Sequence, residues 1–162
     1  MDQQLLPNDV LEFIKNNRLG VLATVSPNHM PEAAFVYYGS DEELHIYCCT
    51  FKDSRKFHNI TSNKRVAFVI GQEIRAMTLQ LEGTARIISN SKEKTEVMEK
   101  YAKKATANPE SVFFPPLVSL TAESPMEFLE ITIEWFKFSV FESHFPLIIE
   151  GKPHSWKEHS IK

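Results

Sequence analysis

The feature that most constrains the fold of this chain is a series of six short strand-like segments, some apolar along their length and others with alternating apolar and polar residues. The segments are 19–25, 33–38, 44–49, 65–70, 77–88 and 126–141. Alternation with a period of two is typical of strands with one buried face, and short connections between strands favour antiparallel pairing. A parallel doubly wound sheet would instead place a helix between every two strands. The pattern therefore predicts a mainly β fold, a small six-stranded antiparallel barrel with helical additions.

Helices are predicted at three places beside these strands, each marked by polar residues that suit a helix end. These are Asn8 or Asp9 at the start of the first helix, Asp53 as N-cap and Asn63 as left-handed stop of the second, and Asn90 with Glu93 as a capping box for the third. The second helix interrupts the run of strands between the third and the fourth.

The last predicted strand changes phase partway along its length. Its apolar residues occupy odd positions up to Trp135 and even positions from Phe136 onward. A β-bulge near Trp135 explains such a shift, and so does a strand buried on both faces, by its own core and by a partner subunit. Gly83 likewise allows a bulge or bend in the fifth strand.

Length and composition favour a single domain over residues 1–162. With 43% hydrophobic residues, the chain can bury a core without disulfides or metals. The C-terminal segment 143–162, which is polar from Gly151 onward, is predicted to be a mobile tail. Because 18 basic side chains nearly balance 21 acidic ones, we expect neither a nucleic-acid nor a membrane partner.

The two cysteines and the N-terminus bear on the location of the protein. Cys48 and Cys49 are adjacent, so on a strand they point to opposite faces and are not expected to form a disulfide. The N-terminus lacks a basic start followed by an apolar run, and no stretch approaches the roughly 20 apolar residues of a membrane span. We therefore expect a protein of the reducing cytoplasm.

A candidate anion site follows the third strand. Thr50, Ser54, Arg55 and Lys56 place two hydroxyls and two cations at the start of the second helix, where free backbone N–H groups favour a phosphate. Against this reading, Asp53 would compete for the same N–H groups, and basic residues on a short helix are often only solvated. The residues alone leave both an anion site and a simple capped helix open.

Other chemistry has weaker support. The six histidines show no arrangement typical of a metal site, so none is predicted. Serine-hydrolase, P-loop and dinucleotide-binding motifs are not found. The cysteines can be nucleophiles, but a strand flanked by aromatic residues more often buries them. Trp135 and Phe136 can stack on a planar cofactor, although aromatic residues on such a strand more often fill the core.

In order and spacing, five pieces of the chain together resemble the pyridoxamine 5′-phosphate oxidase-like family of FMN-binding split barrels. They are Leu22-Ala23-Thr24-Val25-Ser26 leading to Pro31, Leu44-His45-Ile46-Tyr47, Thr50 with Asp53-Ser54-Arg55-Lys56, Asn63-Lys64-Arg65-Val66-Ala67, and Leu81-Glu82-Gly83-Thr84-Ala85. The similarity covers residues 10–90 and, more loosely, the last strand.

The resemblance implies a homodimer with FMN bound at the subunit interface. It also implies a set of cofactor-binding residues. These are Val36 and Tyr37 along the isoalloxazine ring, Thr50, Ser54, Arg55 and Lys56 at the phosphate, Thr78 near the ring, and Trp135 reaching the partner's flavin.

The chain departs from authentic pyridoxamine phosphate oxidases at two points. Ala33 and Ala34 stand where those enzymes have an arginine, and the last arginine, Arg86, comes well before the place of their C-terminal arginine segment. A substrate phosphate would lack its usual bidentate partner. We therefore expect an FMN-dependent oxidoreductase that acts on some other small molecule. No catalytic residue is singled out, and His29 and Tyr37 are acid–base candidates by position only.

Two further functions stay open. Related split barrels divide between FMN and the deazaflavin F420, so an F420-dependent reductase is the first. A non-catalytic flavin- or haem-binding protein is the second, because the sequence offers few acid–base residues.

Overall fold

The computed structural model describes residues 7–72, 76–106, 126–141 and 146–153. Its elements are α1 (Pro7–Asn16), β1 (Leu19–Val25), β2 (Pro31–Ser40), β3 (His45–Phe51), α2 (Arg55–Ser62), β4 (Arg65–Gln72), β5 (Met77–Ile88), α3 (Ser91–Thr106), β6 (Met126–Val140) and β7 (Leu147–Gly151). None of the described helices is both long and apolar enough to cross a membrane.

The strands form a closed antiparallel barrel. Their order is β3-β2-β1-β4-β5-β6-β7, and a further pairing between β3 and β6 closes the first six strands into a ring. In that pairing Phe51 lies opposite Met126 and His45 lies opposite Thr132. The predicted six-stranded antiparallel barrel is confirmed.

The seventh strand was not predicted. β7 pairs with the last part of β6, Leu147 opposite Val140 and Gly151 opposite Phe136. It occupies part of the segment for which a mobile tail is predicted, while residues 142–145 and 154–162 lie outside the described part of the chain. Mobility of that segment stays a prediction.

A β-bulge interrupts β6 where its partners change. Glu82 of β5 pairs with Trp135, but the next residue, Gly83, pairs with Ile133, so Glu134 has no opposite residue. The extra residue explains why apolar residues switch from odd to even positions, and the predicted bulge is confirmed. A Cβ at Gly83 would lie 2.0 Å from the carbonyl oxygen of Thr132, so only glycine fits.

α1 packs its apolar side against the barrel core through Val10, Phe13 and Ile14. The buried Tyr38 hydroxyl donates a hydrogen bond to the Ile14 carbonyl over 2.9 Å. Burial of three such side chains contributes several kcal/mol, at about 1.5–3 kcal/mol each. The helix is thereby fixed to β2.

The predicted start of α1 needs correction. The helix begins at Pro7, so Asn8 and Asp9 lie inside its first turn and neither is the N-cap. The fixed φ of proline suits the first helical position, where its missing N–H costs nothing.

The predicted ends of α2 also need correction. Ser54, and not Asp53, is the N-cap, because the Ser54 N–H donates to the Phe51 carbonyl and this turn brings Ser54 to the helix start. Asn63 ends the helix with an extended backbone, φ −138°, and not in the left-handed region. Its side-chain oxygen accepts a hydrogen bond from the Arg65 N–H and so directs the chain into β4.

Half of the predicted capping box forms at α3. The Asn90 side chain accepts hydrogen bonds from the N–H groups of Lys92 and Glu93, over 2.9 and 3.1 Å. The Glu93 carboxylate instead pairs with Arg86 on β5, so it does not return to the cap. A charged partner on the barrel outcompetes the backbone N–H group.

Candidate functional site

Three polar side chains meet where β3 ends and α2 begins, and we call Thr50, Ser54 and Lys56 the Thr50 cluster. The hydroxyls of Thr50 and Ser54 are 2.7 Å apart, and the Lys56 ammonium donates to the Thr50 hydroxyl over 3.3 Å. Thr50 is only 3% exposed. The structure therefore brings together three of the four residues predicted at the phosphate.

The start of α2 is electrostatically suited to an anion. Its first turn contains no acidic residue, so nothing there neutralises the partial positive charge of the helix N-terminus. The Ser54 side chain accepts a hydrogen bond from the Phe57 N–H over 3.3 Å. Asp53, the expected competitor for the helix N–H groups, is exposed and precedes the cap. Asp53 therefore does not compete with an anion for these N–H groups, although Ser54 itself occupies the N–H of Phe57.

Arg55, the fourth predicted phosphate ligand, is directed elsewhere. Its guanidinium pairs with the Glu32 carboxylate of β2 over 3.3 Å, and its side chain is 84% exposed. An exposed ion pair of this kind contributes at most about 1 kcal/mol. Arg55 therefore lies beside the Thr50 cluster, but it is not part of it while it pairs with Glu32.

A buried polar network next to the cluster was missed by the sequence reading. The Asn59 amide of α2 donates to the Thr24 hydroxyl over 3.0 Å and to the Glu32 carboxylate over 3.1 Å. Thr24 and Asn59 are both buried. Glu32 thus links the interior of the barrel to Arg55. The available signals were the acidic residue at the head of an apolar strand and the Asn beside the apolar Ile60.

Val36 and Tyr37 lie on opposite faces of β2. The Val36 side chain belongs to the core, so only its backbone can meet a ligand. Tyr37 lies opposite Leu19 of β1 and is half-buried on the outer face. Any ring-binding role of this strand thus rests on its backbone and on outward side chains.

Thr78 and Trp135 lie away from the Thr50 cluster in a single chain. Thr78 is on β5 opposite Ser139, and Trp135 is at the bulge of β6. Trp135 lies roughly eight residues along β6 from Glu127, the partner of Thr50, which is about 26 Å of strand. One chain therefore does not assemble all the predicted cofactor residues.

A second polar group, the Asp41 cluster of Asp41, His45 and Tyr47, braces the turn between β2 and β3. Asp41 accepts hydrogen bonds from the N–H groups of Glu43 and His45, from the His45 ring and from the Tyr47 hydroxyl, over 2.8–3.0 Å. Burial alone would raise the pKa of Asp41, but these hydrogen bonds outweigh it and the pKa lies below its usual value. Burial, followed by the Asp41 carboxylate, raises the pKa of Tyr47.

Cys48 is a poor nucleophile. Burial, and then the neighbouring Cys49, raises the pKa of the Cys48 thiol to about 12. A thiol with such a pKa stays protonated at neutral pH. Both residues are reduced thiols, and Cys48 fills the core as an apolar group.

Comparison with models of known families matches residues 6–139 to pyridoxamine 5′-phosphate oxidase. The chain belongs to this family. The match spans both the Thr50 cluster and the bulge of β6, so the two features lie within the family's shared domain. A search of curated proteins with this sequence found no match.

Solved structures share the fold at low sequence identity. A conserved hypothetical protein from Mycobacterium tuberculosis has a TM-score of 0.70 at 18% identity, covering 85% of this chain and 86% of that one. A Clostridium acetobutylicum protein related to general stress protein 26 has a TM-score of 0.70 at 14% identity, covering 92% and 95%. A haem-binding protein from Mycobacterium smegmatis has a TM-score of 0.66 at 13% identity, covering 91% of this chain but only 59% of that longer one. Identities this low establish the fold alone.

Proposed function

We propose that this family member binds FMN, with the phosphate on the Thr50 cluster, and acts as an oxidoreductase on a small molecule. The observation that carries the proposal is the close grouping of two hydroxyls and an ammonium at the start of a helix without acidic residues in its first turn. When bound, FMN supplies hydride transfer at its ring. The protein supplies binding and orientation.

The side chains fit a phosphate group. Thr50 and Ser54 can each donate a hydroxyl hydrogen bond to a phosphate oxygen, and Lys56 supplies positive charge beside them. Arg55 can leave Glu32 at limited cost, because its guanidinium is exposed and the Asn59 amide still donates to the Glu32 carboxylate. Bidentate pairing of its guanidinium with phosphate would more than offset that cost.

The proposal includes a homodimer. Thr78 and Trp135 of one chain are too far from its own Thr50 cluster to share a ligand, so we place the flavin ring between one chain's β2 and the partner's β5 and β6. Exposed apolar side chains near these elements support a subunit contact, namely Phe51, Phe141 and Ile148. A cytoplasmic location is part of the proposal, because both cysteines are reduced thiols.

FMN and riboflavin together test the phosphate site, because they differ only in the phosphate. We expect FMN to bind the apo-protein more tightly than riboflavin, and Lys56→Ala to weaken FMN binding about tenfold while leaving riboflavin binding unchanged. Lys64→Ala, which removes an exposed lysine beyond the C-terminal end of α2, is the matched control. Equal affinity for the two flavins would contradict the proposal.

Haem binding is a second candidate, favoured by the structural similarity to the Mycobacterium smegmatis haem-binding protein. Titration of the apo-protein with haem, FMN and F420, followed by absorption, separates the three cofactors. A haem Soret shift without flavin uptake would replace the FMN proposal, and F420 uptake alone would favour an F420-dependent reductase. Bound flavin that no nicotinamide donor reduces would indicate a binding protein without catalysis.

A further inference from the structure

We propose that α3 forms part of the anion site, because its Lys94 neutralises a carboxylate that lies next to Thr50. That carboxylate belongs to Glu127, which is directly opposite Thr50 in the pairing of β3 with β6. Residues opposite each other in antiparallel strands carry their side chains on the same face, with Cβ atoms about 4.5–5.5 Å apart. The inference rests on the phosphate site of the proposed function and makes the affinity of that site depend on α3.

Glu127 would weaken phosphate binding if its charge were unpaired. Its side chain is only 18% exposed, so water and salt screen its charge poorly. Thr50 is buried beside it, and the Lys56 ammonium donates to the Thr50 hydroxyl over 3.3 Å. A carboxylate at this place would therefore cancel the charge of the single lysine in the Thr50 cluster.

Lys94 removes this obstacle by pairing with Glu127. The Lys94 ammonium donates to the Glu127 carboxylate over 2.6 Å, and both side chains are partly buried. Lys94 lies near the start of α3, where the helix dipole disfavours a cation, so the helix itself gains nothing from this lysine. The partner of Lys94 accounts for its position. With the pair neutral, the positive charge of Lys56 stays available to a phosphate.

The position of Lys94 is fixed by the contacts of α3 with the barrel. Val97, one turn beyond Lys94, is buried in a small apolar cluster between α3 and the strands. Glu93, just before Lys94, pairs with Arg86 of β5. If α3 left the barrel, Glu127 would return to the anion site as an unpaired carboxylate. Docking of α3 and phosphate affinity are therefore coupled, and such a coupling is reciprocal.

Variants that neutralise each member of the pair test the proposal by titration with FMN and riboflavin. We expect Lys94→Gln to weaken FMN binding about fivefold, because Glu127 then repels the phosphate. Glu127→Gln should tighten FMN binding about fivefold, since Lys94 is then free to attract the phosphate. The double variant should lie within about twofold of wild type, because the pair is neutral in both proteins. Riboflavin affinity should stay unchanged throughout. Lys92→Gln, at an exposed position of the same helix, is the control and should change neither flavin's affinity.

The gain of affinity in Glu127→Gln separates this role from a structural one. An ion pair that only holds α3 in place would give weaker or unchanged FMN binding in both single variants, and either result would overturn the proposal. Hydrogen exchange gives a second readout of the coupling. Saturating FMN should slow exchange of the α3 amides in wild type, and not in the double variant. Equal exchange of α3 with and without FMN in wild type would contradict the coupling.

Inorganic phosphate, followed through the NMR amide signals of Thr50 and Ser54, distinguishes this inference from the FMN proposal. Phosphate affinity should fall in the order Glu127→Gln, wild type, Lys94→Gln. That order without FMN uptake would overturn the FMN proposal alone. FMN binding that Lys56→Ala weakens, and that neither Lys94→Gln nor Glu127→Gln alters, would overturn this inference alone. If neither FMN nor phosphate binds at Thr50, both are wrong.

Discussion

At the scale of single residues, Asn59 shows how a buried amide supports the candidate site. Asn59→Ala would leave the buried Thr24 hydroxyl and the Glu32 carboxylate without their amide donor. We expect a loss of about 1–3 kcal/mol in the free energy of unfolding. Urea denaturation measures it, with Ser62→Ala, at an exposed position of the same helix, as the control. Equal midpoints for the two variants would show that the network adds nothing.

The lowered pKa of Asp41 leads us to expect that the stability of the fold depends on pH. Its pKa is lower in the folded protein than in the unfolded chain, so its contribution is present above the unfolded pKa and is lost as the pH falls through the folded one. We therefore expect stability to fall below about pH 4 and Asp41→Asn to reduce this dependence. Melting temperatures across acidic pH test it, with Asp53→Asn, at an exposed turn, as the control. Parallel profiles for wild type and Asp41→Asn would contradict the prediction.

Sequence reasoning found some site residues and not others for a simple reason. Thr50, Ser54 and Lys56 lie within one short stretch, so their grouping follows from a strand that ends at a helix. Asn59 instead meets residues 27 and 35 positions away in the chain. That contact depends on how α2 lies across β1 and β2, and local patterns carry no information about it.

At the scale of elements, the bulge in β6 requires a glycine opposite it. Gly83→Ala would place its Cβ 2.0 Å from the Thr132 carbonyl oxygen, which is backbone and cannot move aside. We expect destabilisation by about 2–3 kcal/mol, as for other overpacked positions. Gly71→Ala is a matched control on the neighbouring strand, because its Cβ would enter open space. Chemical denaturation should separate the two variants, and similar stabilities would mean that the strands readjust freely.

Alternation of side chains located the strands well, and the exceptions have physical causes. The cap of α2 shifted by one residue because Asp53 and Ser54 are both good capping residues, and the turn back to Phe51 decides between them. β7 is a five-residue strand whose partner, β6, lies in the same sheet. Five alternating residues are too few to distinguish a strand from an irregular C-terminal tail by sequence pattern.

At the scale of the whole molecule, the proposed dimer makes a prediction about mixed subunits. If each flavin lies between one chain's Thr50 cluster and the partner's Trp135, Lys56→Ala and Trp135→Ala homodimers should both bind FMN weakly. Differently tagged variants, co-expressed and purified as mixed dimers, should regain one normal site per dimer, because one interface then combines the two intact sets. FMN titration of the mixed dimer gives the stoichiometry. Mixed dimers as weak as both parents would place the two groups in separate sites.

Closure of the barrel rests on contacts that the alternating pattern does not show. β3 and β6 pair along their length although nearly half the chain separates them. The pattern predicted a barrel, but it did not predict which two strands close it, because the β3–β6 pair joins segments that are far apart in the chain.

The change of partners along β6 has a consequence for the chain's solubility. The first part of β6 is flanked by β5 and β3, and after the bulge β3 is replaced by β7. Without β7, the N–H and C=O groups of 136–140 would form an open, strongly apolar edge of the kind that recruits strands from other molecules into fibrils. β7 covers that edge and presents Glu150 on its own length, with Lys152 just beyond. The short last strand thus protects this edge of β6 against aggregation.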